Sequence, residues 1–162
     1  MSRKCFALFL SIAALSAAPA FAQDHAHGAD AAASVAAEAT EAATVVDAFH
    51  AALQSGDTAG ALNFLAPDVM IFEGGGAERS REEYASHHLV SDAAFSAATE
   101  ASVTRRSGWA SGDVAWIVSE GRTTGQFNAR AVNLLTVETM VLRRGPEGWR
   151  IQHIHWSSRT PR

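Results

Sequence analysis

Cysteine and lysine are almost missing from this 162-residue chain, which has a single cysteine, Cys5, and a single lysine, Lys4. Both fall in an N-terminal stretch, Met1 to Ala22, that reads as a secretory signal. Arg3 and Lys4 form its positive start, Cys5 to Ala18 its apolar run, and Ala20-Phe21-Ala22 a small-x-small cleavage site. Cleavage after Ala22 would leave a chain without a thiol, which excludes disulfides, thiolate zinc sites and a cysteine nucleophile. Cys5 precedes most of the apolar run and so does not suit a lipoprotein anchor. The run is too short to span a bilayer, and no other long apolar segment follows. A soluble periplasmic or secreted protein, with no membrane attachment after cleavage, is the expectation. Positive charge is also scarce: residues 23–162 hold 11 Arg against 17 Asp and Glu, a formal charge of about −6. That balance argues against nucleic acid as a partner, since such binding leaves a footprint of clustered positive charge.

What remains is enough for one domain, with neither an internal repeat nor a second domain in evidence. Gln23 to Ala33 is a polar, alanine-rich leader; its His25 and His27 read first as part of a flexible spacer and second as a weak transition-metal tract. From Ala32 to Gln54, Val35, Ala39, Ala42, Val46, Phe49 and Leu53 recur at three- and four-residue spacing, which predicts one long amphipathic helix ending at Ser55-Gly56. Asp57 is placed to cap a short helix over Thr58 to Leu65. Val69 to Glu73 is strand-like, and Gly74-Gly75-Gly76 turns the chain toward a short return at Ala77 to Arg79. No Gly-Lys-Ser/Thr follows these glycines, so they are not a phosphate loop.

Ser80 with Glu83 forms a capping box for a helix over Arg81 to Ala97, with a kink expected at Ser91-Asp92. Tyr84, the only tyrosine, lies three and four residues from His87 and His88, so the three share or flank one helix face. Four long strand-like runs follow: Ala98 to Ser111, Val114 to Thr124, Arg130 to Arg143 and Gly148 to Ser158. Short turns between them require antiparallel neighbours. Arg105-Arg106 and Arg143-Arg144 each send their members to opposite faces and read as solvated strand ends.

The last run, Trp149-Arg150-Ile151-Gln152-His153-Ile154-His155-Trp156-Ser157-Ser158-Arg159, carries the chemistry. Alternation puts Ile151, His153, His155 and Ser157 on one face and Gln152, Ile154, Trp156 and Ser158 on the other. Two adjacent histidines on one surface suggest a polar pocket.

The order of elements, with Phe72-Glu73-Gly74-Gly75-Gly76, Arg81-Glu82-Glu83-Tyr84-Ala85-Ser86-His87-His88-Leu89, Glu138-Thr139-Met140-Val141-Leu142-Arg143-Arg144 and the final strand, resembles the nuclear transport factor 2-like (NTF2-like) superfamily and its secreted SnoaL-like branch. The resemblance spans roughly Val45 to Arg159 and assigns residues 34–160 to one such domain. It implies an α+β fold: a cone-shaped, curved antiparallel sheet with helices packed over its concave face and a pocket between. It also implies homodimers through the convex face. Members include isomerases, cyclases, hydrolases, dehydratases and proteins that only bind or dimerise, so the fold alone does not name an activity.

Three uses of the pocket then compete. It binds a small molecule, with His87, His88, Glu138, Trp116 and Trp156 as ligand contacts. His153, His155, Glu73 and Tyr84 could add weak isomerase- or lyase-like acid/base catalysis there. Alternatively His88, His153 and His155 hold a divalent transition metal; otherwise no cofactor is expected. The third reading is a non-catalytic dimerisation module. Whether His153 and His155 face the pocket or a partner subunit, leaving Ile154 and Trp156 for the opposite role, stays open. Nucleophilic serine chemistry is disfavoured, because Ser157-Ser158 lack a strand-to-helix elbow.

Overall fold

The computed structural model describes residues 34–162; the signal and leader assignments at 1–22 and 23–33 lie outside them. Helix α1 (Thr40–Ser55) starts after a 3-10 turn over Ala37–Ala39, later than the expected Ala32, because Val35 bridges instead to Gly108; it buries Ala42, Ala43, Val46, Phe49 and Leu53, the stripe set by its spacing. It ends at Gly56, whose left-handed φ of 76° lets its N–H reach the carbonyls of Ala52 and Leu53. Helix α2 (Thr58–Asn63) is capped by Asp57, which accepts from the Gly60 N–H at 2.8 Å. It stops two residues short of the expected Leu65, because strand β1 (Leu65–Glu73) begins there and buries Leu65 and Ala66.

Strand β2 (Gly76–Glu78) pairs back on β1, and helix α3 (Arg81–His87) follows. Ser80 Oγ accepts from the Glu83 N–H at 3.0 Å, and Glu83 Oε2 accepts from the Arg79 N–H at 2.6 Å. The capping box therefore reaches one residue further back than its usual form. The helix breaks at His88, and α4 (Leu89–Ala98) restarts at once, three residues earlier than the expected kink.

Strands β3 (Thr99–Ser111), β4 (Val114–Phe127), β5 (Arg130–Gly145) and β6 (Gly148–Arg159) complete one curved six-stranded sheet in the order β2-β1-β6-β5-β4-β3. Consecutive strands from β3 to β6 are antiparallel, as their tight turns require. β1 and β6 pair in parallel, a departure from a wholly antiparallel sheet. Two helices and four strands separate them in the chain, so no short turn dictates their direction. Together the elements form the α+β, NTF2-like fold, with the helices on the concave side.

Beneath the helices, the core runs from Val46, Phe49 and Leu53 to Ile117, Met140, Leu142, Ile151 and Ile154. Gly108 lets the chain before α1 lie against the free edge of β3: Ala36 N–H donates to its carbonyl at 2.8 Å, and a Cβ there would come 2.5 Å from Ile117 Cδ1.

β6 does not keep simple alternation. Val141 opposes His153 while Leu142 opposes Ile151, so Gln152 is an extra residue, a bulge. Ile151 and Ile154 can then both point into the core, where each is fully buried. His153 and His155 lie on the opposite face, which no helix among the described residues covers. Exposed there are also Met70 and Phe72 of β1, Trp109 of β3 and Val137 of β5.

Candidate functional site

Between α1, α4 and strands β3 to β6 lies a cavity of about 410 Å³. One α1 side chain at the edge of the buried stripe, His50, reaches into it beside Phe49. Its Nε2 is 2.8 Å from Glu138 Oε2 on β5. The same oxygen accepts from Trp156 Nε1 of β6 at 2.7 Å, and the Trp156 ring stacks on Phe49 at 6.3 Å between centroids and 13° between planes. Glu138 is 10% exposed at its side chain, and its other oxygen, Oε1, has no hydrogen-bond partner among the described residues.

Burial pushes the Glu138 carboxyl up. The hydrogen bonds and charges of His50, Trp156 and Arg106 outweigh that and hold it below the usual carboxylate value. A carboxylate only accepts, so His50 donates through Nε2–H and keeps its basic lone pair on Nδ1. Arg106 of β3 completes the polar lining: its Nε donates to Ser119 Oγ at 3.1 Å and its Nη1 to Asp47 Oδ1 of α1. Phe95, Val103 and Leu134 supply apolar wall.

A second cavity, about 220 Å³, lies between β1, β2 and the broken helix pair. Fully buried Tyr84 donates through its hydroxyl to Asp92 Oδ2 at 2.9 Å. Burial, then the Asp92 charge, pushes the Tyr84 hydroxyl far above its ordinary value, which keeps it a donor. Asp92 is raised chiefly by burial, and Glu73 by burial and then by the Asp92 charge. Glu73 and Asp92 line both cavities, so these two acids form their shared wall.

Glu78, 7% exposed, is met by His87 Nδ1 at 3.3 Å and by His88 Nδ1 at shorter range. The helix break at His88 turns both imidazoles to one carboxylate, which consecutive residues of an unbroken helix would not do. Glu78, Glu83 and His87 also bring one ligand atom each within 4.8 Å of one another, a spacing that could hold a divalent cation.

The residues expected from the sequence divide between these places. Glu138, Trp156 and Glu73 line the large cavity, while Tyr84, His88 and again Glu73 line the small one. His87 lines neither and pairs with Glu78. Trp116 lies outside both, packed against Trp109 at 4.9 Å on the uncovered face of the sheet. His153 and His155 are on that face too: His153 Nδ1 contacts the Met70 carbonyl at 2.9 Å, and its ring meets the edge of Phe72. The triad His88, His153 and His155 is therefore split across the sheet and makes no common metal centre. The bulge at Gln152 and the burial of Ile154 decide this. Nor are His153 and His155 placed to act on a ligand in either cavity.

His50 was not among the expected site residues. Its one signal is local: a histidine directly after Phe49, bordering the Val46–Phe49–Leu53 stripe. Arg106, expected as a solvated strand end, instead braces the cavity through Ser119 and Asp47.

The sequence model of the SnoaL-like domain family matches residues 42–161. Among solved structures, a candidate ketosteroid isomerase from Shewanella frigidimarina is similar at 36% identity and a TM-score of 0.72, over 76% of this chain and 100% of that one. A candidate dehydratase of the NTF2-like family from Streptomyces avermitilis shares 19% identity, with a TM-score of 0.66 over 76% of this chain and 97% of that one. A candidate calcium/calmodulin-dependent protein kinase II association domain from Xanthomonas campestris shares 20%, with a TM-score of 0.65 over 76% and 89%. The last two likenesses concern the fold alone. No curated protein matches. Among the described residues, no helix is long and apolar enough to cross a membrane.

Proposed function

The chain belongs to the SnoaL-like domain family of the NTF2-like superfamily, and from the cavity beneath its helices we propose that it binds a small, largely apolar molecule and moves a proton on it. The observation that carries this reading is the His50–Glu138 pair at 2.8 Å inside a cavity of about 410 Å³. That volume falls in the range of small-molecule sites. An imidazole oriented by a buried carboxylate is a proton-transfer device, because the carboxylate selects the tautomer and stabilises the imidazolium that forms. Glu73 and Asp92, whose carboxyls burial raises above their ordinary values, line the same cavity and supply its acid groups. Base and acid facing one cavity suit an isomerisation or an elimination. The 36% identity to a candidate ketosteroid isomerase supports the first.

A test follows the conversion of a β,γ-unsaturated ketone to its conjugated isomer by ultraviolet absorbance, in wild type and in His50→Gln. Loss of the base is expected to lower kcat by about 10²- to 10⁴-fold. A His50→Gln protein that folds and turns over at the wild-type rate would sink the catalytic assignment; binding without turnover in wild type would reduce the proposal to ligand binding.

Two further parts of the reading concern place and assembly. The signal-like residues 1–22 support export to the periplasm. The apolar residues of the uncovered sheet face, Met70, Phe72, Trp109 and Val137, support a homodimer formed there. His153 and His155 would then lie in the subunit contact. A metal-binding reading draws support only from the Glu78–Glu83–His87 grouping and stands second.

A further inference from the structure

Glu78 and the two imidazoles beside it take no part in the large cavity. The Glu78 side chain is 7% exposed, while those of His87 and His88, which meet it, are each 59% exposed. A carboxylate withdrawn this far from water has to be paired or to coordinate a metal. Its two oxygens are held differently. His88 Nδ1 is in close contact with Oε1, as a donated hydrogen bond places it, whereas His87 Nδ1 stands 3.3 Å from Oε2. A charge-assisted N–H···O bond is about 2.7 to 2.9 Å long, so the His87 contact is a loose one. It matches a different arrangement: two ligands each about 2.1 Å from one tetrahedral zinc stand about 3.4 Å apart.

Glu83 brings a third donor. It lies four residues before His87 on α3, which puts both side chains on one helix face, next to Glu78 at the end of β2. One ligand atom from each of Glu78, Glu83 and His87 falls within 4.8 Å of the others. Glu83 is itself oriented by the Arg79 N–H, which donates to its Oε2 at 2.6 Å. The donor set selects the metal. Three protein ligands are few for calcium, which takes about six to eight oxygens. An imidazole suits zinc and its neighbours better than magnesium, and two carboxylates balance a doubly positive ion.

We infer that Glu78, Glu83 and His87 bind one divalent transition metal of the zinc class, with water completing the shell, and that His88 is a positioning residue whose Nδ1–H holds Glu78 Oε1 so that Oε2 stays on the metal. This rests on the second, metal-binding reading and gives it a ligand set separate from the His50–Glu138 cavity. The ion ties β2 to the turn of α3 that carries Tyr84, beside the small cavity that Glu78 and His88 line.

The test titrates ZnCl₂ and, separately, MgCl₂ calorimetrically into the untagged protein and its His87→Ala, His88→Ala and Glu83→Gln variants. Both histidines are exposed, so neither substitution leaves a hole in the core, and Gln at position 83 keeps an acceptor for the Arg79 N–H. Wild type is expected to take up about one equivalent of zinc and to give no saturable signal with magnesium. His87→Ala and Glu83→Gln each alter a ligand and should weaken zinc by about 100-fold or more. His88→Ala removes only the orienting bond and should weaken it by about 10- to 100-fold. Zinc should raise the melting temperature of wild type and not of His87→Ala. With Co²⁺ in place of zinc, the visible spectrum at saturating metal should change in His88→Ala, a shift that a merely structural role would not produce. Zinc uptake undiminished in both His87→Ala and Glu83→Gln overturns this ligand set while leaving metal binding elsewhere in the chain, such as the His25/His27 tract. Magnesium binding as tight as zinc overturns the metal class. Wild-type affinity and cobalt spectrum in His88→Ala overturn its positioning role. No saturable zinc uptake by wild type overturns the metal-binding reading, and this inference with it.

Discussion

Replacing Tyr84 by Phe removes one oxygen and leaves the ring, so packing around this fully buried side chain is preserved while the 2.9 Å hydrogen bond to Asp92 is lost. The consequence depends on pH. Burial raises the Asp92 carboxyl above its ordinary value, and the Tyr84 hydroxyl is the first of the influences that oppose the rise. Between the unfolded and folded values the folded state binds more protons, so the Asp92 contribution to stability falls as pH rises through that window. The full penalty stands above it. Phe at position 84 pushes Asp92 higher still and enlarges the penalty above that window. Below the window Asp92 is protonated in the folded state and the lost bond is between neutral groups, about 1 kcal/mol. Above it the lost bond is to a buried charge, about 2 to 3 kcal/mol.

Urea unfolding followed by tryptophan fluorescence, at fixed ionic strength and at intervals from pH 4 to pH 8, reads this difference directly. Glu73 and Glu138 titrate in both proteins, so to first order they cancel in the comparison. The destabilisation by Tyr84→Phe should grow by about 1 to 2 kcal/mol from the acid to the neutral end. A destabilisation that is constant across the range, or that shrinks as pH rises, would refute the assignment of a charged Asp92 receiving the Tyr84 hydrogen bond.

Gly108→Ala should destabilise by about 1 to 3 kcal/mol, since the new methyl would come 2.5 Å from Ile117 Cδ1. Adding Ile117→Val removes that atom, and the double variant should be more stable than the sum of the single effects predicts, as read from denaturation midpoints. The double variant His153→Ala/His155→Ala should keep the rate of the unsaturated-ketone isomerisation within about twofold of wild type, because neither side chain lines the cavities, and a loss of about tenfold in rate would contradict their placement. The same variant, examined by sedimentation velocity, should change its monomer–dimer balance if the uncovered sheet face is the subunit contact.

The fold was legible because it rests on short-range rules. Spacing along α1, the Gly56 and Ser80 caps, and the tight turns joining β3 to β6 are each decided by neighbours a few residues apart. Where those rules fall silent, the expectation erred. The parallel β1–β6 pair joins chain segments that no turn connects, and the helix break at His88 accompanies contacts of His87 and His88 with Glu78 on another element.

The site divides along the same line. Two-residue alternation correctly put His153 and His155 together and Ile154 and Trp156 on the opposite side, but a strand's period carries no label for inside and outside. Tertiary packing supplied the label: Ile154 is buried opposite Met140, Trp156 stacks on Phe49, and the bulge at Gln152 swings Ile151 inward as well. The histidine that meets the buried carboxylate of the large cavity, His50, lies on a different element far away in the chain, and only the closure of α1 over the sheet brings it to Glu138. Sequence alone determined which residues can share a face; which face encloses the chemistry was settled by the burial of apolar surface, a property of the whole fold.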